Sequence, residues 1–202
     1  MSEVCKIILE WIKKLLVLFC GKQKDNSSVL SVSGDIERST TSDGATKFSE
    51  DEFIKIGIPL AIKREWNKFS IYVHSYHETG NFKRIIGNFN IFGIKVPKNW
   101  TGKVVEVTTH EWIGGKKIGV IDKFIDFENM EQLVIWYCEF IERVYFQAYK
   151  KRDNPIAYFY ALVSNPKVCY ATDPQYAQKL ERLYRELSVN QEILDKFKKY
   201  LL

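Results

Sequence analysis

Apolar residues recur every three to four positions over most of this chain, and in one region they alternate instead. The helical spacing predicts six helices, over residues 50–66, 69–78, 129–149, 155–165, 172–187 and 189–202. Two β-branched runs, at 104–109 and 117–125, flank Gly114-Gly115, which predicts an antiparallel hairpin. The pattern therefore indicates an α+β fold, mainly helical with one small β-unit.

The first predicted helix has a defined start and a defined weak point. Ser49 followed by Glu52 is a capping-box pattern, so we expect Ser49 at the N-cap. Pro59 lies inside the helix and lacks a backbone donor, so we expect a kink or a break there. A later helix begins with Asn154 at the N-cap and Pro155 at the first position. The buried face predicted for the first helix consists of Ile54, Ile58, Ile62 and Trp66.

The N-terminal region differs from the rest in composition. Residues 4–20 are apolar at helical spacing but carry three lysines and a glutamate, which is typical of an amphipathic helix rather than a membrane span or a signal peptide. Such a helix can lie on a membrane surface, dock on the folded domain or a partner protein, or act as an atypical export signal. We divide the chain into this helix (1–20), a flexible Ser- and Thr-rich linker (21–48) and one folded domain (49–202).

The net charge limits the classes of partner, and the cysteine spacing limits the metal sites and disulfides that the chain can form. The 202-residue chain has a net charge of +5 and a pI near 8.9, which suits an anionic partner such as a cell-wall polymer or anionic lipid. It contains no Arg-rich run and no nucleic-acid motif, so we expect no nucleic-acid partner. Cys5, Cys20, Cys138 and Cys169 have no metal-site spacing, which leaves idle thiols or a Cys138–Cys169 disulfide.

Glu78 is the candidate for acid chemistry. It stands in the last turn of the second predicted helix, just before Gly80, the residue type that most often ends a helix. The negative end of the helix dipole disfavours a charged carboxylate there, and desolvation acts in the same direction. Both effects favour a carboxyl group that stays protonated near neutral pH, as a general acid must. The alternative is an ordinary solvated glutamate near a helix end.

Four further segments stand out within residues 50–187, and they are Glu78-Thr-Gly80, Asn90-Ile-Phe-Gly-Ile-Lys95, Asn99-Trp-Thr-Gly102 and Tyr170-Ala-Thr-Asp-Pro-Gln-Tyr-Ala177. In sequence and in order they resemble the glucosaminidases of glycoside hydrolase family 73, which include bacterial autolysins, flagellar peptidoglycan hydrolases and phage lysins. The resemblance implies a lysozyme-like fold with a small antiparallel β-lobe. It also implies a bacteriolytic endo-β-N-acetylglucosaminidase that cuts peptidoglycan after N-acetylglucosamine and needs no cofactor or metal.

The resemblance also implies a set of acidic site residues. Glu78 corresponds to the family's general acid, and Glu111, in Thr108-Thr-His-Glu111, corresponds to the second carboxylate on the β-lobe. Glu106 on the same strand is the rival, but its odd offset from Glu111 predicts that the two face opposite sides. For Glu111 the alternative is an exposed hairpin charge. Asp122 and Asp126 are weaker candidates.

The remaining site candidates are aromatic or amide side chains. Tyr170 corresponds to the family's active-site tyrosine, whereas Tyr176 is a candidate substrate contact with core packing as the alternative. Trp100 and Trp112 can stack on sugar rings or pack in the core. Asn90 can orient its loop or bind an acetamido group. The chain departs from the family in its aromatic, His-containing helix before Glu78, which puts the substrate subsites in doubt.

Several alternatives stay open from sequence. A muramidase or a lytic transglycosylase can have the same fold, and a non-catalytic wall-binding or assembly protein can keep its shape. His74, His77 and Glu78 can also be read as ligands of a metal hydrolase. We expect a site of action at the cell wall, extracellular or periplasmic, with the export route and a phage origin both open.

Overall fold

The computed structural model describes residues 48–98, 100–113, 116–165, 169–171 and 173–201, and over 109–113 and 116–118 it describes the backbone alone. The helix predicted over residues 1–20 lies outside the described residues, as does the predicted linker up to residue 47. The described region begins at Phe48, next to the predicted start of the folded domain. None of its helices is long and apolar enough to cross a membrane.

The described chain contains seven helices and one hairpin. Helix α1 has three consecutive parts, Glu50–Glu52, a π-helical turn at Phe53–Gly57, and Ile58–Ile62. The other elements are α2 (Lys68–Glu78), β1 (Val104–Ile113), β2 (Lys116–Ile125), α3 (Met130–Val144), α4 (Phe146–Tyr149), α5 (Pro155–Ser164), α6 (Tyr176–Leu187) and α7 (Gln191–Leu201). The predicted α+β architecture, mainly helical with a small antiparallel unit, is confirmed.

Both predicted helix starts are present. The Ser49 hydroxyl accepts a hydrogen bond from the Glu52 amide at 3.1 Å, and the side-chain oxygen Oδ1 of Asn154 accepts one from the Ala157 amide at 3.1 Å. Pro155 occupies the first turn of α5, where its missing N–H leaves no bond unmade. These caps satisfy orphan donors at the helix starts, which is why short sequence patterns could locate them.

Helix α1 ends earlier than its spacing predicted. It stops at Ile62 instead of continuing to residue 66, and the chain turns at Glu65, whose φ of 63° is left-handed. A π-helical turn, rather than a break, precedes Pro59. Because a π turn contains more residues than an α turn, it shifts the buried face. Ile62 is therefore 44% exposed, contrary to prediction, while the neighbouring Ala61 is fully buried.

The long helix predicted over residues 129–149 is two helices, α3 and α4. They are separated at Tyr145, whose φ of −119° and ψ of 50° lie outside the helical region. The Tyr145 ring packs against Phe140 at 5.6 Å and against Tyr170 at 5.3 Å between ring centroids. Local spacing could not predict this break, because one of these contacts comes from a distant part of the chain.

Helix α2 is the central element of the domain. It packs against α1, α5 and α6, and every residue from Phe69 to Ser75 is buried. A helix that is buried on all sides is a core helix, and its polar side chains need internal partners. This helix carries Glu78 at its last position.

The hairpin and the loop before it form the second lobe. β1 and β2 pair in a continuous antiparallel register from Val104↔Ile125 to Ile113↔Lys116, as the alternating pattern predicted. The preceding loop is fastened to β2, since the Ile125 amide donates to the Ile94 carbonyl at 3.1 Å. Phe92 and Ile94 of this loop are buried in the core, so the loop joins the lobe to the helical body.

Candidate active site

Glu78 lies where α2 stops abruptly. The Thr79 hydroxyl donates to the Ser75 carbonyl at 2.7 Å and accepts from the Phe82 amide at 2.9 Å, so it caps the helix end. Gly80 follows with a φ of 57°, the left-handed conformation that glycine adopts without a steric penalty. The interactions of Thr79 and Gly80 therefore explain why the helix ends directly after Glu78.

The turn after Gly80 is strained and is held by packing. Phe82 also has a left-handed φ of 57°, which is unfavourable for a bulky side chain. Its ring lies 5.3 to 6.1 Å, between centroids, from four other aromatic rings. These rings belong to Phe48, Phe53, Tyr72 and Tyr76. The aromatic cluster thus fixes the backbone that leaves the candidate acid, as expected where strain persists near a functional site.

The Glu78 carboxyl group is largely buried. Its side chain is 23% exposed, and burial raises its pKa above the ordinary value. The hydroxyl of Tyr176 donates a hydrogen bond to Glu78 Oε1, which lowers the pKa but only partly offsets the effect of burial. The carboxyl group therefore keeps its proton to a higher pH than a solvated glutamate would.

Behind Glu78 lies a buried chain of polar side chains. The hydroxyl of Tyr176 is 2.8 Å from Nε2 of His74. On the other side of the ring, Nδ1 of His74 is 2.5 Å from the Tyr137 hydroxyl and 3.2 Å from the Tyr158 hydroxyl. These two hydroxyls are 2.5 Å apart. Four side chains from four helices thus connect the core to the candidate acid.

The imidazole of His74 is neutral over the physiological range. Complete burial lowers its pKa from 6.5 to about 3, with a smaller contribution from the neighbouring His77. The contact of 3.8 Å between His74 Nε2 and Glu78 Oε1 is consequently not an ion pair. Burial also raises the pKa of Tyr137, Tyr158 and Tyr176 well above 10.0, so these phenols keep their protons.

Tyr170 and Tyr176 both pack against His74 but make different hydrogen bonds. Tyr170 donates its hydroxyl proton to the Phe92 carbonyl at 3.1 Å, and its ring packs edge-on against His74 at 4.5 Å. Tyr176, at the first position of α6, is the tyrosine that hydrogen-bonds Glu78. Both belong to the segment that the resemblance singled out, but sequence reasoning assigned the closer role to Tyr170.

Asn90 and Trp100 make internal contacts. Asn90 is buried, and its amide donates to the carbonyls of Ile94 and Ile125, both at 2.9 Å, while its oxygen accepts from the Ile94 amide at 2.9 Å. This geometry favours the loop-orienting role over a sugar contact. Trp100 is half-buried, and its indole N–H donates to the Lys103 carbonyl at 3.0 Å, which favours packing at the base of the lobe.

Three of the candidate carboxylates on the lobe have partners of their own. Glu106 Oε1 lies 3.1 Å from Lys123 Nζ at the surface of the hairpin. Asp122 pairs with Lys95 at 2.8 Å. Asp126 accepts from the amide of Asn88 at 2.7 Å, so it holds the loop.

Two further candidates, Glu111 and Trp112, lie on β1 opposite residues 118 and 117. Their side chains fall outside the described part of the structure. Their suggested roles therefore stay predictions.

The described side chains offer no cluster of metal ligands. No group of three or more His, Cys, Asp and Glu among them is arranged to hold a metal ion. Both ring nitrogens of His74 face tyrosine hydroxyls, and His77 packs edge-on against Tyr176 at 5.3 Å. Cys138 and Cys169 are free thiols and not a disulfide.

A helical body, a hairpin lobe and a mostly buried carboxylic acid at the end of a core helix define a lysozyme-like glycoside hydrolase. Residues 58–189 match the family model of the glucosaminidases, described as mannosyl-glycoprotein endo-beta-N-acetylglucosaminidase. The chain belongs to this family. The predicted family membership and the predicted lysozyme-like fold are both confirmed.

Two proteins with similar sequences are peptidoglycan hydrolases. The peptidoglycan hydrolase FlgJ of Pseudomonas aeruginosa is 31% identical over 157 residues, which cover 72% of this chain and 38% of that protein. FlgJ of Salmonella typhimurium is 28% identical over 109 residues, covering 54% of this chain and 34% of that protein. The chain thus spans little more than a third of the length of these relatives.

Solved structures give the same result for the fold. A mutant of a peptidoglycan hydrolase from Sphingomonas sp. A1 superposes with a TM-score of 0.58 at 27% identity, covering 74% of this chain and 99% of that one. A C-terminally truncated glycoside hydrolase domain of FlgJ from Salmonella typhimurium gives a TM-score of 0.54 at 25% identity, covering 70% and 99%.

Proposed function

We propose that this chain is an endo-β-N-acetylglucosaminidase that hydrolyses the β-1,4 bond after N-acetylglucosamine in peptidoglycan, with Glu78 as the general acid. The observation that carries the proposal is the environment of Glu78. Burial raises the pKa of this carboxyl group, and a tyrosine hydroxyl holds one of its oxygens. Departure of the glycosidic oxygen requires a proton, and a carboxylic acid that keeps its proton to a higher pH than a solvated glutamate is suited to supply it.

Glu111 is the second carboxylate in this proposal. Val105 and Val107 on β1 are half-buried, whereas Glu106 is exposed and paired with Lys123. Because the register of the hairpin is continuous, odd-numbered positions of β1 share one face. Position 111 has the same parity as Val105 and Val107 and the opposite parity to Glu106, which supports Glu111 over Glu106 as the group that acts on the oxocarbenium-like centre.

The aromatic candidates have unequal support. The hydrogen bond from Tyr176 to Glu78 supports a role for Tyr176 in holding the acid. The contact of the Tyr170 ring with His74 supports a packing role for Tyr170 beside the site. Stacking of Trp112 on a sugar ring stays a prediction from its place beside Glu111. For Trp100, the contact of its indole N–H with the Lys103 carbonyl supports a structural role.

The proposed place of action is the cell wall. A net charge of +5 favours association with an anionic wall, and added salt should weaken that association. Autolysin, flagellar accessory and phage lysin are equally compatible settings. Residues 4–20 are the proposed contact with a membrane surface or a partner protein.

The decisive experiment is digestion of purified peptidoglycan followed by borohydride reduction and mass spectrometry of the new ends. We expect reduced N-acetylglucosamine ends from the wild type, and at least about a hundredfold fewer from Glu78→Gln, since general acid catalysis contributes at least that much. Glu106→Gln is the matched control and should stay near wild-type activity, whereas Glu111→Gln should be impaired. If Glu106→Gln loses activity and Glu111→Gln does not, Glu106 and not Glu111 is the second carboxylate.

The same digest separates the alternatives. Reduced muramic ends would indicate a muramidase, and anhydro-muramic ends would indicate a lytic transglycosylase. No new ends from a folded wild type would favour the wall-binding or assembly protein. A chelator should leave turnover unchanged, because two carboxylates carry the proposed chemistry, and loss of turnover with chelator would favour the metal hydrolase.

A further inference from the structure

The buried chain behind Glu78 has a consistent arrangement of its protons that starts from the hydrogen bond of Tyr176 to Oε1. Whether Glu78 is ionised or carries its proton on Oε2, Oε1 can only accept, so the Tyr176 hydroxyl donates its single proton to Oε1. The Tyr176 oxygen also lies 2.8 Å from His74 Nε2. Since its proton is already used, this oxygen accepts, and His74 must carry its proton on Nε2.

The far side of the imidazole completes the arrangement. A neutral His74 with a proton on Nε2 has an acceptor at Nδ1, which lies 2.5 Å from the Tyr137 hydroxyl. Tyr137 then donates to Nδ1 and accepts from Tyr158, whose hydroxyl is closer to Tyr137 (2.5 Å) than to the imidazole (3.2 Å). Every link has one donor and one acceptor, and all point towards Glu78. Such aligned hydrogen bonds strengthen one another in a buried site.

We propose that His74 is a positioning residue: as the Nε2–H tautomer it fixes the Tyr176 hydroxyl on Oε1 of Glu78, so that Oε2 is the oxygen that carries the proton to the glycosidic bond. This role rests on the proposed function of Glu78. Among the described residues, none hydrogen-bonds Oε2. Without the donor at Nε2, the Tyr176 hydroxyl is free to rotate, and the carboxyl group loses the contact that defines its orientation.

The groups that face this chain from the surrounding helices do not reverse the arrangement. Tyr170 packs its ring on His74 and donates to a backbone carbonyl, so it takes no proton from the chain. His77 packs edge-on against the ring of Tyr176 at 5.3 Å. Lys179 and Asp173 pair with each other beside His77, at 2.5 Å. The chain therefore ends at Glu78 and has no second charged terminus.

The first test reads the tautomer of the wild-type protein directly. In a long-range proton–nitrogen NMR spectrum of protein with ¹⁵N-labelled histidine, we expect His74 to be neutral and protonated on Nε2 from about pH 5 to about pH 8. The His74→Gln variant assigns the signal among the three histidines of the chain. A neutral Nδ1–H tautomer, or an imidazolium in this range, would overturn the proposal.

The second test uses two variants of similar size. In His74→Gln the amide nitrogen reaches the place of Nε2 and keeps a donor for Tyr176, whereas in His74→Asn it reaches only the place of Nδ1. We expect kcat to fall about tenfold in His74→Asn, the rate equivalent of one lost hydrogen bond, and to change by less than about twofold in His74→Gln. Equal losses in both variants would overturn the role of the Nε2 donor.

The pH profile separates positioning from a merely structural role. The Tyr176 hydrogen bond lowers the pKa of Glu78, so weakening it should move the basic limb of the kcat profile to higher pH in His74→Asn and not in His74→Gln. An unmoved limb in His74→Asn contradicts the proposal. If the wild type is inactive, the proposed function fails, and the positioning role of His74 in that reaction fails with it. The NMR spectrum still decides the direction of the hydrogen bonds.

Discussion

Burial of His74 makes the fold sensitive to acid in a defined pH window. Desolvation, assisted by His77, lowers the pKa of this imidazole from 6.5 to about 3. Below pH 6.5 the unfolded chain binds a proton at this site, and the folded chain does not until the pH approaches 3. The stabilisation is therefore fully present above 6.5 and is lost progressively as the pH falls towards 3.

The size of the effect follows from the width of this window. Each pH unit between the two pKa values costs about 1.4 kcal/mol of stability. At pH 5 the loss is about 2 kcal/mol, and over the whole window from 6.5 to 3 it is about 5 kcal/mol. Since domains of this size are stable by roughly 5 to 15 kcal/mol, His74 alone can decide whether the domain survives in acid.

Urea unfolding of the wild type and of His74→Gln isolates this contribution. The amide does not titrate, and the other ionisable groups are shared, so their effects largely cancel in the difference. We expect the free energy of unfolding of the wild type, relative to the variant, to fall by about 2 kcal/mol between about pH 7.5 and about pH 5. A difference that stays constant over this range would show that His74 titrates like a solvated histidine and would refute the reasoning.

Two further predictions concern the acid and the loop. The pKa of Glu78 is raised in the folded state, so the contribution of this group to stability is full below its unfolded pKa of 4.5 and is lost as the pH rises through the folded pKa. Glu78→Gln should therefore raise the Tm measured by calorimetry at about pH 7.5 and not at about pH 4. An equal shift of the Tm at both pH values would contradict the burial of a charge. Asn90→Ala should cost about 3 kcal/mol in urea unfolding, because it removes three buried hydrogen bonds to the backbone of Ile94 and Ile125. The half-buried Asn88→Ala is the control, and an equal cost in both variants would refute the role of Asn90 in holding the loop.

The parts of the fold that the sequence predicted are those decided by neighbours along the chain. The caps at Ser49 and Asn154 depend on residues three positions apart, and the hairpin joins two strands that are adjacent in the sequence; all are present. The errors arise where distant residues intervene. The break at Tyr145 depends in part on contact with Tyr170, and the exposure of Ile62 follows from a π turn that a constant spacing does not reveal.

In the candidate site, too, the sequence predicted the residue that depends on its neighbours and missed the residue that depends on distant ones. Glu78 could be identified because its helix end is encoded locally by Thr79 and Gly80. The role of His74 could not, because its hydroxyl partners lie 63, 84 and 102 residues further along the chain. One signal was available: a histidine in a helix that is apolar on all sides must find internal partners, and a tyrosine-rich chain supplies hydroxyls for them.

The aromatic and His-containing helix before Glu78 bears on whether the chain is an enzyme or a wall-binding protein. A buried carboxyl group with a raised pKa destabilises the fold at neutral pH, since the folded state must either hold a proton or bury a charge. A protein that only binds the wall gains nothing from this cost and would be more stable with a neutral residue at position 78. Here the unusual residues do not merely fill space, because His74, Tyr137 and Tyr158 form a hydrogen-bonded chain that leads through Tyr176 to this carboxyl group. A strained turn, a buried acid and a chain of donors directed at it are arranged at the expense of stability, which is the pattern of a site kept for proton transfer.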